Sequence, residues 1–237
     1  RPCIFEYIYF SRPDSYLGGL SIYECRKSFG QQLAKESPID ADYVIPVPDS
    51  GVPSAIGFAE VAKIPYELGI IRNHYVGRTF IEPQQAIRAL SVKLKHNVNK
   101  SLVNGKKIAL IDDSIVRGTT STKIIEMLRE AGAKEVHMRI TSPPIKYPDF
   151  YGIDTPVQEQ LLSANYTLKE IRNFLKADSI SFLSIDGLYK AMGHANGRDN
   201  NNPFFTDHCF TGDYPTRLED KESKEEFSQL SLLSNLE

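Results

Sequence analysis

The sequence predicts an α/β fold with a central parallel sheet flanked by helices, and three observations carry that prediction. "KKIALID" (106–112) is a short apolar run, residues 121–131 repeat their apolar positions at helical spacing, and "EVHMRIT" (135–141) is a second β-rich run. Strand, helix and strand in close succession make a βαβ unit, whose crossover helix brings the chain back to the same end of the sheet and lays the strands parallel. A further strand, "DYVIPV" (42–47), runs through "PDSGVPS" into a helix over 54–63 and repeats the strand-loop-helix order. With 237 residues and 41% hydrophobic composition, the chain can bury the core such a sheet needs.

The other elements follow in chain order. "IFEYIYF" (4–10) is aromatic and β-branched with weak alternation, so a strand is expected there, with Cys3 at its buried start and a raised thiol pKa. "RPDS" supplies a turn. Ser21 can N-cap a helix running to about residue 35, with Glu24 three residues on as capping-box partner. "YELGIIR" (66–72) reads as a strand. From Asn73 to about Lys100 the chain turns polar and basic without a clean period, and so long an irregular stretch in a compact domain reads as a functional lid or a disordered piece. Thr167 and Glu170 form a second capping box for a helix over 167–177, and 179–185 is a final strand. The end, 218–237, mixes a charge run with leucines and reads as a frayed helix or disorder.

Composition excludes several function classes. A formal net charge of -2 gives no electrostatic footprint for nucleic acid or an anionic membrane, so any phosphate site must be local. Three cysteines do not make a disulfide framework, and the reducing cytoplasm is the expected compartment. There is no secretory segment, and no apolar run reaches the roughly 18 residues of a membrane span. Residue 1 is Arg, so the chain is expected to be a processed product, a fragment or one domain of something longer.

In an open parallel sheet, ligands sit outside the carboxyl ends of the strands. At one such junction Asp112 and Asp113 close the strand, and "RGTTS" (117–121) then presents backbone N–H groups and hydroxyls at the positive end of a helix. Carboxylates repel phosphate, so the pair and the turn make joint sense only if the phosphate hangs on a polyol. The acids then accept hydrogen bonds from sugar hydroxyls or hold Mg²⁺, while the turn takes the phosphate. A ribose 5-phosphate meets both demands.

"ALIDDSIVRGTTS" resembles the phosphoribosyl pyrophosphate motif of type I phosphoribosyltransferases. With "FEYIYFSRPDS", "VIPVPDSGVPSAIGFAE", "YVGRTFI", "REAGAKEVHMRITSPPI", "FYGIDTP" and "CFTGDYPT", spread from residue 3 to about 217, the chain resembles the amidophosphoribosyltransferase family in particular. The resemblance implies the type I phosphoribosyltransferase fold, with a core over 1–150, a flexible catalytic loop at about 73–100, a hood and C-terminal helical extension over 151–217, and a tail over 218–237. It implies displacement of pyrophosphate from 5-phosphoribosyl 1-pyrophosphate by ammonia to give 5-phosphoribosylamine, the first step of de novo purine synthesis. Carried onto this sequence, Asp49, Ser50 and Gly51 face the pyrophosphate. Ser50, Asp112 and Asp113 lie around Mg²⁺. Arg117, Gly118, Thr119, Thr120 and Ser121 hold the 5-phosphate, and Tyr75 and Arg78 close over the ribose and pyrophosphate. Arg72 and Lys95 fall where the family binds purine nucleotide feedback inhibitors, with Arg72 standing where relatives often have Lys.

The family also has an N-terminal glutaminase domain that starts on a catalytic Cys. No such segment precedes "FEYIYF" here, so ammonia-dependent chemistry is expected of these residues, with a glutaminase domain encoded upstream or supplied separately; a homo-oligomer is expected as well. Some members hold an iron–sulfur cluster on four cysteines. Cys3 and Cys209 occupy two of those places, but Asp149 and Thr206 occupy the others, and no cluster is expected. Two other readings remain: a phosphoribosyltransferase with a base as nucleophile, disfavoured by "YVGRTF" and the region after 150, and a non-catalytic sensor of phosphoribosyl pyrophosphate, disfavoured by the intact acids, Tyr75 and Arg78.

Overall fold

A computed structural model describes residues 1–73, 96–153 and 157–218. After a π-helical turn, Glu6–Phe10, the chain makes a small antiparallel hairpin of β1 (Tyr16–Leu17) and β2 (Leu20–Ser21) and enters α1 (Ile22–Glu36). Ser21 caps α1 by accepting from the Glu24 N–H. The α1 positions Ile22, Cys25, Arg26, Phe29, Gly30, Leu33 and Ala34 are buried, the spacing of one helical stripe. β3 (Tyr43–Pro46), α2 (Val52–Ala62), β4 (Ile70–Arg72), β5 (His96–Val98), α3 (Lys100–Val103), β6 (Lys107–Asp112), α4 (Thr119–Glu130) and β7 (Glu135–Ile140) follow. Past a 3-10 turn, Gln158–Gln160, come α5 (Leu162–Asn165), α6 (Leu168–Leu175), β8 (Ser179–Phe182), α7 (Ile185–Ala191) and α8 (His208–Thr211).

Four strands form the parallel sheet in the order β3-β6-β7-β8. β6 lies inside it and is apolar on both faces, as a strand covered by helices on either side must be. Alternation sorts its residues. Ala109 and Ile111 join Val44, α1, α2 and the N-terminal turn in one cluster, while Ile108 and Leu110 join Ile45, Met138, α4 and α6 in the other. Thr167 and Glu170 form a complete capping box on α6. No helix among the described residues is long and apolar enough to cross a membrane.

Three expectations are corrected. The expected strand at 4–10 is helical: Ile4, Phe5, Tyr7 and Ile8 are buried while Tyr9 and Phe10 are exposed, a helical spacing that a strand's alternation does not give. Cys3 accordingly begins no strand but makes an isolated bridge to Thr206. The expected strand at 66–72 is confined to β4, which leaves the main sheet to pair antiparallel with β5; Tyr66 makes only a single bridge to Val44. β5 and α3 also occupy the end of the stretch read as irregular. Residues 74–95, which include Tyr75, Arg78 and Lys95, lie outside the described residues, as do 154–156 and 219–237.

Candidate active site

Two strand-loop-helix junctions meet at the carboxyl end of the sheet. The first follows β3, where the Val47 N–H donates to the Ile111 carbonyl at 2.8 Å and the Gly51 N–H turns back to Val47 O at 2.9 Å. A Cβ on Gly51 would stand 2.5 Å from Ile111 O and 2.9 Å from Val47 O, so only glycine lets the "PDSG" turn lie flat on the end of β6. Asp49 on this turn is exposed and ion-paired with Arg72 of β4. Ser50 is half-buried.

The second junction is the end of β6. Asp112 and Asp113 are each 6% exposed. The Asp113 N–H donates to Asp112 Oδ1 at 2.9 Å, and Ser114 Oγ donates to Asp113 Oδ2 at 2.8 Å. Burial pushes the Asp112 carboxyl well above the usual carboxylate range, and the adjacent Asp113 charge adds to it. No cation forms a salt bridge to either acid among the described residues, while the Arg26 charge interacts with Asp113. Behind the pair, Thr141 holds the Asp112 carbonyl through its N–H at 3.0 Å and its hydroxyl at 3.3 Å.

The anion turn starts α4. Gly118 has φ +76°, and a Cβ there would stand 2.8 Å from Leu162 Cδ2 and 3.1 Å from Phe174 Cε1. No side chain caps α4 and its first turn holds no acid, so its N-terminal N–H groups keep their positive end open. Thr119 and Thr120 are exposed and Ser121 is buried. Arg117 is exposed, with Nε donating to Gln160 Oε1 at 3.0 Å. The structure thus brings Asp49, Ser50, Gly51, Asp112, Asp113 and the turn 117–121 to one end of the sheet, with Arg72 tied to Asp49.

Four contributors escaped sequence reading. Arg26 is 4% exposed, and it donates Nε to Tyr7 O at 3.0 Å and Nη2 to Ser11 O at 2.7 Å, so it pins the N-terminal turn beside the acids. Burial lowers its pKa, with Asp113 pulling the other way. A charged residue on the apolar stripe of α1 was the available signal. Thr141, Gln160 and Leu162 left none, because their partners are remote in sequence.

The four positions discussed for a cluster also converge. Cys3 bridges Thr206; Asp149 accepts from the Tyr151 and Ile153 N–H groups at 2.8 and 2.9 Å and meets His208 Nε2 at 2.7 Å; Cys209 O accepts from the Lys146 N–H at 2.9 Å. Burial raises the Cys3 thiol pKa, and burial together with Cys3 raises that of Cys209 well above the usual value. Among the described residues no group of three or more His, Cys, Asp or Glu side chains is arranged to hold a metal ion.

Comparison with known proteins adds three findings. Residues 21–141 match the family profile of the phosphoribosyl transferase domain. The amidophosphoribosyltransferase of Rhizobium etli is 58% identical over 99% of this chain and 47% of its own length, and that of Archaeoglobus fulgidus is 49% identical over 93% of this chain and 47% of its own. The solved glutamine phosphoribosylpyrophosphate amidotransferase from Bacillus subtilis, complexed with ADP and GMP, superposes with a TM-score of 0.81 at 52% identity, covering 91% of this chain and 47% of that one. The chain therefore spans about half the length of the relatives it matches.

Proposed function

Because the chain belongs to the phosphoribosyl transferase domain family, we propose that it binds 5-phosphoribosyl 1-pyrophosphate at the carboxyl ends of β3 and β6 and transfers the phosphoribosyl group to ammonia, a reading supported by the name of its relatives, amidophosphoribosyltransferase. The observation that carries the reading is a buried acid pair with no salt-bridged cation among the described residues, set beside an uncapped helix start that holds no acid.

In this reading the 5-phosphate sits on Arg117, Gly118, Thr119, Thr120 and Ser121, where N–H groups and the helix dipole favour an anion. Asp112 and Asp113 accept from the ribose hydroxyls, and the turn at Asp49, Ser50 and Gly51 faces the diphosphate. Tyr75 and Arg78 keep the roles carried over from the family motif. The hard oxygens of Ser50, Asp112 and Asp113 suit Mg²⁺, and the missing counter-charge is what such an ion supplies. These residues would hold the ion, which would supply charge neutralisation for the leaving diphosphate. The C1–O bond to pyrophosphate breaks, a C1–N bond to ammonia forms, and the extra proton passes to solvent. Unprotonated ammonia needs no activating base, so the chain's contribution is orientation and electrostatics.

The ADP and GMP complex of the Bacillus subtilis relative supports binding of purine nucleotides, and the family resemblance is what assigns feedback to Arg72 and Lys95. Both hydrophobic clusters draw residues from either side of position 150, which supports assigning 1–150 and 151–217 to core and extension of one domain. We assign no iron–sulfur cluster, since the Asp149 carboxylate is engaged by His208 and two N–H groups; stoichiometric iron with acid-labile sulfide in the purified chain would refute this.

Pyrophosphate release tests the function. Release that requires Mg²⁺ and rises with ammonium concentration, and with pH as the unprotonated fraction grows, is the expected result. Release driven by a purine base or orotate, with none from ammonia, would make the chain a base-using transferase. Tight binding with no release for any nucleophile would make it a sensor.

A further inference from the structure

The matched phosphoribosyl transferase domain ends at residue 141, yet the anion turn is gripped from beyond it. The Leu162 N–H donates to Val116 O at 2.9 Å, so the start of α5 is tied to the turn's entry. Under Gly118 lie the side chains of Leu162, Phe174 and Leu175. Above this apolar floor, Arg117 Nε donates to Gln160 Oε1 at 3.0 Å, across 43 residues of sequence.

The backbone that carries this exposed acceptor is itself anchored. Gln160 ends the 3-10 turn Gln158–Gln160, with its N–H on Val157 O at 2.9 Å. Asn165 Nδ2 donates to Gln158 O at 2.8 Å and to Leu161 O at 2.9 Å, closing α5 back onto that turn, and the capping box of α6 follows directly. Arg117 has no ion pair among the described residues, and its hydrogen-bond partner is a neutral amide oxygen. Such an acceptor restricts the guanidinium without cancelling its charge, and leaves both terminal nitrogens for an anion. An exposed arginine on a glycine-containing turn otherwise samples many rotamers, and ordering it on binding weakens affinity.

We propose that Gln160 is a positioning residue for the anion turn: it holds the Arg117 guanidinium ready for the 5-phosphate, so the extension after residue 157 sets the affinity of a site whose ligands lie in the core. This rests on the reading of residues 117–121 as the 5-phosphate site.

Calorimetry on the 237-residue chain tests it, with ribose 5-phosphate and Mg²⁺-pyrophosphate as separate probes against wild type, Gln160→Ala, Arg117→Ala and the double variant. Each single substitution should weaken ribose 5-phosphate about three- to tenfold, the scale of one ordinary net hydrogen bond. Pyrophosphate affinity and Tm should stay unchanged, and the double variant should bind no worse than Arg117→Ala, because Gln160 acts through that arginine. If Gln160→Ala binds ribose 5-phosphate like wild type while Arg117→Ala does not, the positioning role fails and the site reading stands. Fully additive effects, or equal losses for both probes with a lowered Tm, also overturn it. If Arg117→Ala changes nothing, or wild type does not bind ribose 5-phosphate, the site reading fails and the inference goes with it.

Discussion

Two groups of buried acids in this molecule have opposite surroundings. At the end of β6, Asp112 and Asp113 are 6% exposed and face each other with no cation in salt-bridge contact among the described residues. Near the C-terminus Asp207 is 1% exposed and fully engaged: it accepts from Arg198 Nε at 2.7 Å, Arg198 Nη2 at 3.1 Å, the Tyr189 hydroxyl at 2.7 Å and Thr211 Oγ1 at 3.1 Å. Arg198 also reaches Asp213 at 2.7 Å. Burial is similar in the two places, but its consequences differ. It raises the Tyr189 hydroxyl pKa, helped by the hydrogen bond to Asp207, and so keeps a neutral donor on a paired acid. At Asp112 it acts on an acid with no cationic partner among the described residues and makes the ionised form costly. A buried charge that is fully paired supports the fold, whereas one left unpaired is costly to the empty protein and is retained for what binds there.

Breaking the paired cluster should produce the largest effect. Arg198→Ala leaves Asp207 buried and uncompensated, and should lower unfolding free energy by about 3–5 kcal/mol in urea titration. A loss below about 1 kcal/mol would show that the pair behaves like a surface salt bridge. At the other acid group the same kind of truncation should spare the fold and remove the chemistry. Asp113→Ala should cut ammonia-dependent pyrophosphate release about 100-fold or more, near 2.7 kcal/mol of transition-state stabilisation, without lowering Tm. Retained turnover would remove Asp113 from the proposed site.

Gly118→Ala lies between these extremes. A residue with a Cβ at φ +76° that also presses on Leu162 should cost about 1–3 kcal/mol and weaken ribose 5-phosphate, read from thermal melts and calorimetry together. The smallest effect has the opposite sign. Asp112→Asn keeps an oxygen to accept from the Asp113 N–H and removes the costly charge, so the empty chain should gain about 1 kcal/mol at neutral pH. The folded-state pKa of Asp112 lies above the roughly 3.9 of an unfolded Asp. Between these values the folded chain binds more protons than the unfolded one, so wild-type stability falls as pH rises through that interval. The advantage of Asp112→Asn should therefore vanish below the unfolded pKa and grow toward the folded one. A gap independent of pH would mean that Asp112 carries no such charge cost.

The legibility of these regions in the sequence follows the same division. The β6–α4 junction could be read because its residues are contiguous: an apolar run, two acids and a Gly/Thr/Ser turn lie within one short stretch, and periodicity fixes strand and helix around them. The capping boxes were legible for the same reason, and at α6 both halves form. The N-terminal turn was misread because its β-branched and aromatic residues have strand propensity, while their burial at 4, 5, 7 and 8 follows helical spacing against α8 and Phe205. Propensity is a weak prior, and packing overrode it. The family resemblance pointed to four positions, but it gave no hint that His208 would meet Asp149 across 59 residues.

From the sequence alone came the parallel α/β class, the two strand-loop-helix junctions, the acid pair with its anion turn, and the resemblance that joined them, because each depends on near neighbours in the chain. Only the tertiary structure decided that β4 leaves the sheet to pair with β5, that Arg26 reaches the N-terminal turn beside the acids, and that Gln160 holds Arg117 while Leu162 floors Gly118. Those contacts join residues far apart along the chain, and their partners are chosen by which surfaces the packed sheet and helices bring within a few ångströms, a selection that no local pattern encodes.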